Sequence, residues 1–596
     1  MVPRLEPDML IERGRFAHKA VFAAPLLCLL FGLGLLIFVV GPGDGTWVLY
    51  GREMRSGLRI YSDLNLNQQP MFPLISFISL IILPDGILAQ KIAFALLILV
   101  HVGLLFKISC RVASGLIERT ILTLSAYFVS IHFEAFRYED YHALAQCLVL
   151  ASFNLSLRHL DENIGPYRYA TAQGVLFGLT FLTRVNEGIA IAGAVSIVAL
   201  AKTGWSRKLI QMCGSAALSA TIVFVAILTA VGESPATWFQ QTLAEAASAK
   251  GGASLWTYPA LALWNACRYL AGAQIQGHHV PLLLFCIATH LVVFLRRNLP
   301  RALQWAVVVA AGVSLFQLIT SLYRDPAIPL TASALLWCTV YFVTSFIRAR
   351  LWPAVVEGTK LEGSHVLTAY PLLLFAMGSL STGGYIYGLY FALTLTIYVV
   401  ALFFREAPSS NTRQRLRVLF YIVMLLTALN AFEYRRRNSF SWLDYRSGPL
   451  FQNYVFVEGS GRGPHMLPKE VDGLIRPICK HVGDGKTLLS LPYSFPNYYC
   501  KLPLWHGVVQ TFFDTSTRSQ IDRIKDGLLQ DPPDFILYQR QLAVMQMHER
   551  IYNHGRPLPH RKLDQLIMEK VRSGEWKIIQ VSTAFSPSQW FLIKTK

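Results

Sequence analysis

Apolar stretches long enough to cross a bilayer recur through roughly the first 430 residues, and no other feature limits the fold as strongly. In hydrocarbon every backbone N–H and C=O must be satisfied within the chain, so such stretches become helices packed on helices. The first, "VFAAPLLCLLFGLGLLIFVV", is longer than a signal-peptide core, and no A-x-A-like site follows it. It reads as a retained span. Hydrophobic residues make up 53% of the chain and charged residues 15%. Soluble domains are closer to 45–50% and about 25%. The chain is that of a polytopic membrane protein.

The formal charge of +19 raises the question of a polyanion partner. Its placement answers it. Lys and Arg gather in short segments between alternate spans, at Arg13, Arg15 and Lys19, Lys107 and Arg111, Arg158 and Arg168, Lys202, Arg207 and Lys208, Arg296, Arg297 and Arg301, Arg348 and Arg350, and Arg405 to Arg417. That is the positive-inside pattern, which puts these segments in the cytoplasm. The basic excess reports topology and gives no reason to expect nucleic acid.

Following the alternation predicts about thirteen spans, roughly 21–40, 90–106, 120–136, 143–159, 170–183, 186–201, 209–231, 281–295, 302–322, 327–347, 364–381, 384–404 and 418–432. An odd number from a cytoplasmic N-terminus leaves the C-terminus outside. The fifth and sixth runs are short and separated by "TRVNE". Merging them would place five later basic loops on the wrong side, so they are read as two crossings.

Residues 433–596 differ in kind. "TLLSLPYSF", "DFILYQR", "WKIIQVSTAF" and "QWFLIKT" have strand character, and "STRSQIDRIKDGLLQ" and "RKLDQLIMEKVRS" are amphipathic at helical spacing. The expected architecture is mainly α, a transmembrane helical bundle over 1–432 followed by an extracytoplasmic α/β domain over 433–596. Cys479 and Cys500 fall in that domain and could pair in an oxidising compartment.

Ionisable residues at the external ends of spans are functional candidates. The first external segment opens at "GPGDGTW" with Asp44, and its amphipathic, aromatic-rich continuation reads as helices in the interface plane. The second, "FEAFRYEDYH", holds Glu139, Asp140 and His142, and "LTRVNEG" holds Arg184 and Glu187. Lys250 lies in the long fourth segment, and "SLYRDP" carries Arg324 and Asp325. Each has a plainer reading as a helix terminus, a solvated turn or an arginine reaching to headgroups. Their occurrence in one layer argues for a site.

The stretches "GDGTWVLYGREMRSGLRIYSD", "QQPMFPLI" and "GVLFGLTFLTRVNEG" resemble the GT-C superfamily of membrane glycosyltransferases. The likeness is to the branch with lipid A aminoarabinose transferases and protein O-mannosyltransferases. In that family an acidic residue follows the first span, then come a Tyr, a Gly-x-x-x-Tyr-x-Asp and a Pro-rich approach to the next element. The departures are Asp44-Gly45 where Asp-Glu is frequent, Arg184 where Lys is common, and two acids, Glu139 and Asp140, at the second acidic site.

The resemblance implies an enzyme of the inner or plasma membrane with its active face in the periplasm or exterior. Its donor would be a polyprenyl-phosphate sugar, and its acceptor a lipid, glycan or protein outside the cytoplasm. Asp44 would act as general base, with Asp140 and Glu139 as the second acidic site. Arg184, Arg324 or Lys250 would meet the leaving phosphate. A divalent cation shared by Asp44, Glu139 and Asp140 is left open, hard oxygen ligands suiting Mg²⁺ or Mn²⁺. The alternatives are a polysaccharide polymerase or ligase, and a transporter or flippase of a lipid-linked saccharide.

Overall fold

A computed structural model of the protein describes most of residues 22–245 and 363–596. Short stretches such as 39–43, 84–85 and 133–139 lie outside the described residues, as does nearly all of 246–362. The spans expected at 281–295, 302–322 and 327–347 fall there, and so do Glu139, Lys250 and Arg324.

The chain is mainly helical. In order come α1 (Ala23–Phe38), α2 (Asp44–Arg55), α3 (Met71–Ile82), α4 (Gly86–Val112), α5 (Leu116–His132), α6 (Tyr141–Leu160), α7 (Pro166–Phe181), α8 (Val185–Thr203) and α9 (Arg207–Ala230). After the undescribed segment follow α10 (Ala369–Gly378), α11 (Tyr385–Glu406) and α12 (Asn411–Arg437). Among the described residues four helices are long and apolar enough to cross a membrane: α4, α8, α9 and the part of α12 from Arg417. Leu30, Leu96, Leu99, Ile210, Ile222 and Leu429 on the outer helix faces are all more than half exposed. In water such a belt would be costly at about 25 cal/mol per Å², whereas lipid accepts it. Inside, Gly174 of α7 leaves no room for a side chain against the Ala216 carbonyl of α9, which lets these two helices approach closely.

One group of polar side chains within the bundle is bonded together, as a low-dielectric interior favours. The Tyr370 hydroxyl of α10 meets Ser152 (2.9 Å) and Ser156 (2.7 Å) of α6, and Gln173 of α7 donates to the Ser152 carbonyl (2.9 Å). The run expected as one span at 364–381 is broken into Gly363–Leu367 and α10. Pro371 accounts for the break, because its ring clashes with the carbonyl four residues earlier, at Leu367.

The helices alternate between two ends. At one end Arg111 pairs with Asp161 (3.4 Å), Arg417 with Glu118 (2.6 Å), and Lys202 bonds the His159 and Leu160 carbonyls. Arg405 reaches the Arg111 carbonyl there too. Segments assigned to one side by their charge thus meet at one end. The fifth and sixth runs are two antiparallel helices, α7 and α8, with Arg184 at their turn and Lys202 back at the basic end. The opposite end, about 40 Å away along α4 at 1.5 Å per residue, carries α2, α3 and the C-terminal region.

That region holds a four-stranded sheet of β1 (Leu488–Leu491), β2 (Phe535–Arg540), β3 (Lys577–Ser582) and β4 (Gln589–Lys594), in the order β1-β2-β4-β3. β1 and β2 are parallel and the other pairs antiparallel. Three helices matter here: α13 (Lys469–Val482), the short α14 (Phe495–Tyr499), and α15 (Arg518–Gln530), which makes the β1-to-β2 crossover. A fourth, α16 (Arg561–Arg572), precedes β3. Leu489, Ile536 and Ile593 on one sheet face pack with Ile521 and Ile524 of α15 and Ile567 of α16. Leu488, Leu537 and Leu592 on the other join the cluster that contains α13 and the bundle. Burial on both faces explains why β2 and β4 read as continuous apolar runs and not as alternation. Thr517 and Gln520 form the reciprocal cap of α15 that the Ser/Thr before it predicts.

Cys479 and Cys500 form a disulfide, joining α13 to the residue after α14 across a separation of 21 residues. Replacing both by serine is expected to cost about 3 kcal/mol for a ring of this size. Thermal unfolding of the purified protein, with alkylation before and after reduction, checks the bond and its contribution.

His560, at the start of α16, is buried beside the Tyr538 ring, and Asp564, Arg561 and Glu549 surround it. Burial lowers its pKa to about 4, the Asp564 charge opposing. The imidazole is therefore neutral in the fold while the unfolded chain takes up a proton near its usual value of about 6.5. Stability is full above about pH 6.5 and is lost as the pH falls toward about 4, by about 3 kcal/mol in all. The Asp534 and Glu549 carboxylates, held below their usual range, add losses only at still lower pH. A His560→Gln variant is expected to flatten the unfolding midpoint between pH 6.5 and 4.5, a window set by these values.

Candidate functional site

Asp44 is the first residue of α2, and Trp47 stands one turn further on. The Trp47 ring packs edge-on against Phe72 of α3 (4.6 Å) and meets Tyr141, the first residue of α6, at 6.4 Å. The start of α2 is thereby held over the start of α6. The first segment assigned outside by its charge holds two helices, α2 and α3, joined by a turn that the next residues build. Gly57 has φ +97°, which glycine alone adopts without strain. Asp63 accepts from the Arg59 N–H (2.9 Å), a bond that lowers its pKa. Glu233, from the fourth segment assigned outside by its charge, accepts from the N–H groups of Tyr61 (2.8 Å) and Ser62 (2.9 Å). The Tyr and Asp of the Gly-x-x-x-Tyr-x-Asp pattern therefore shape and anchor this turn. Two segments assigned to the same side by charge are in contact.

Beneath α2 lies a buried charged cluster. Asp140 occupies the N-cap position of α6, and its Oδ2 is 2.9 Å from His142 Nδ1. Tyr141 stacks on His142 at 4.2 Å. Arg184 occupies the N-cap position of α8, and its guanidinium lies 5.6 Å from the Tyr141 ring centre and 5.3 Å from that of Phe391 in α11. Its Nε donates to Glu187 Oε2 at 2.7 Å, and Glu187 is fully buried. Tyr390, also fully buried, meets His142 edge-on at 6.5 Å and is within electrostatic reach of Asp140, Arg184 and Arg435. Arg435, near the end of α12, is buried as well.

This arrangement unites Asp140 and Arg184, two of the residues the sequence singles out, and places α2 with Asp44 above them. Glu139, Lys250 and Arg324 lie outside the described residues. The start of α6 and the start of α8 both supply the site, and Glu187 joins it as the partner of Arg184. Tyr390 and Arg435 were not legible as site residues. For Arg435 a signal existed: "RRR" at 435–437 sits at the end of the bundle where the charge rule expects few cations.

Asp140 Oδ1 and Glu187 Oε1 are buried without a hydrogen-bond partner among the described residues. A carboxylate oxygen left open in this way can accept from a hydroxyl or amine, which is what a proton acceptor or substrate-orienting group must do. The rings of Tyr141 and Phe391 pack around the Arg184 guanidinium, and Trp47 packs on Tyr141. Among the described residues no three His, Cys, Asp or Glu side chains converge as a metal site. No protein-family model matches the chain, and no curated protein is significantly similar to it in sequence.

Proposed function

We propose that the protein is an integral membrane glycosyltransferase that moves a sugar from a polyprenyl-phosphate donor to an extracytoplasmic acceptor. The observation that carries this reading is the layer of Asp140, partly exposed, with the buried His142, Arg184 and Glu187, directly beneath the helix that begins with Asp44. It lies at the end of the bundle opposite the paired basic segments.

The chemistry follows from the residue types. An acceptor hydroxyl or amine attacking the anomeric carbon must lose its proton, and Asp44 receives it as general base. Asp140, with Glu139 beside it in sequence, orients the acceptor or the sugar. The bond to the lipid phosphate breaks as the new bond forms, so the sugar inverts and no covalent intermediate arises. Positive charge at the departing phosphate comes from Arg184, fixed in plane by Glu187, with Arg324 and Lys250 as further candidates. An apolar donor tail explains why the site belongs at the edge of a bilayer.

In this reading the bundle has about thirteen spans, as hydropathy and loop charge predict. Its N-terminus is cytoplasmic, and 433–596 stands in the periplasm or exterior as a separate α/β domain. The Cys479–Cys500 disulfide supports that orientation, because such bonds persist in oxidising compartments. The test is incubation of the purified protein in lipid nanodiscs with a panel of radiolabelled polyprenyl-phosphate sugars and a mixture of lipid, glycan and peptide acceptors. Transfer from at least one donor is expected. No transfer from any, together with movement of a lipid-linked saccharide across vesicles, would replace the enzyme with a flippase.

A further inference from the structure

We propose that Tyr498 of the C-terminal region is a positioning residue that holds the first turn of α2, and with it Asp44, against the bundle; this rests on the function proposed above. A five-residue helix such as α14 would not stand alone, yet here it is fastened at several points. Asn497 Nδ2 donates to the carbonyls of Leu488 (2.8 Å) and Pro503 (2.9 Å). The Ser494 N–H donates to the Val509 carbonyl (3.1 Å), and Phe495 packs edge-on against Trp590 at 6.1 Å. The disulfide at Cys500 ties the residue after α14 to α13.

From this fixed platform the Tyr498 ring lies on Gly45, where a side-chain carbon would come within 3.0 Å of Tyr498 Cβ. Its hydroxyl accepts from the Ile87 N–H at the start of α4 (3.2 Å). One ring therefore bridges the first turns of α2 and α4, beside the residue that serves as base. The glycine at 45 gains a reason: a longer side chain there would occupy the place of Tyr498. Absence of a second carboxylate after Asp44 and the seat for this ring are one feature. Docking elsewhere does not depend on Tyr498. Asn65 Oδ1 accepts from the Val509 N–H (2.7 Å), and Gln520 Nε2 donates to the Leu66 carbonyl (3.2 Å). Loss of Tyr498 alone should loosen α2 locally and leave the domain in place.

The experiment combines backbone hydrogen exchange with single-turnover transfer, on the full-length protein in nanodiscs. The variants are Tyr498→Ala, Tyr498→Phe, Asp44→Asn and the Asp44→Asn/Tyr498→Ala double. In Tyr498→Ala, exchange over 45–49 is expected to rise about tenfold or more while that over Arg518–Gln530 stays unchanged. The rate should fall about tenfold or more, since small misplacements of a reacting group are costly. Tyr498→Phe keeps the ring and should lie within about threefold of the parent on both readouts, given the modest net value of one hydrogen bond. In the Asp44→Asn background Tyr498→Ala should cost nothing further. Unchanged exchange over 45–49 overturns the proposal, as does a uniform rise that includes α15. Additive rate losses overturn it too, because Tyr498 would then act other than through Asp44. A parent that transfers no sugar, or a fully active Asp44→Asn, refutes the proposed function instead, and exchange still decides whether Tyr498 holds α2.

Discussion

Asp44→Asn is expected to lower the rate of sugar transfer by about 10²–10⁴-fold, the usual cost of losing a general base. Asparagine keeps the size of the side chain and most of its hydrogen bonding, but it cannot take the acceptor's proton. An aspartate serving only as a solvated helix terminus would leave rate and stability within about 0.5 kcal/mol, so the two readings are far apart. Asp44 opens α2, whose Trp47 leans on Tyr141 above the buried charges. The two acids of the second site should divide. Asp140, at the N-cap of α6 and bonded to His142, is expected to be severe as Asp140→Asn. Glu139→Gln is expected to be mild. Single-turnover transfer, corrected for folded protein, checks all three.

The second large effect is on stability. Glu187 is fully buried and its Oε2 takes the Arg184 Nε–H, so Arg184→Ala strands a carboxylate out of water. Breaking such a pair typically costs about 3–5 kcal/mol. Removing both partners costs much less, so Arg184→Ala/Glu187→Ala is expected to recover a large part of the loss in a thermal unfolding series. The pair also governs how the phosphate role is read. Weak donor binding by Arg184→Ala alone would mix damage to the fold with loss of a ligand. In the double variant a loss of about 1.5–3 kcal/mol in donor affinity, the range for hydrogen bonds to charged groups, would mark Arg184 as a phosphate contact. Parental affinity would mark it as a structural cation.

Much of the helical framework can be read directly from the chain, because hydropathy and loop charge are local signals that a bilayer makes strict. The runs at 21–40 and 209–231 match α1 and α9 to within a few residues, and "TRVNE" begins in the turn between two antiparallel helices and runs into the first turn of α8. The strands at "DFILYQR" and "QWFLIKT" are β2 and β4, and the capping residues before "QIDRIKDGLLQ" do cap α15. The run expected at 364–381 is two helical pieces, Gly363–Leu367 and α10, with Thr368 between them and Pro371 close behind. The site was legible in part. Asp140 and Arg184 stand out because charges at membrane depth are rare. Their partners do not: Tyr390 looks like one more apolar-span residue, and its contact with His142 joins positions about 250 apart in the chain, a relation no local pattern encodes. The same holds for Tyr498 on Gly45 and for Asn65 at Val509.

The central claim is a single displacement at the anomeric carbon, assisted by one carboxylate base. The measurement that tests it most directly is the anomeric configuration of the product, read by NMR after incubating the purified protein with a β-linked polyprenyl-phosphate sugar and its acceptor. An α-linked product from the parent, with formation suppressed in Asp44→Asn, is the predicted result. A β-linked product would mean retention at the anomeric carbon, which a single back-side displacement cannot give, and would contradict the assignment of Asp44 as base in a one-step inversion.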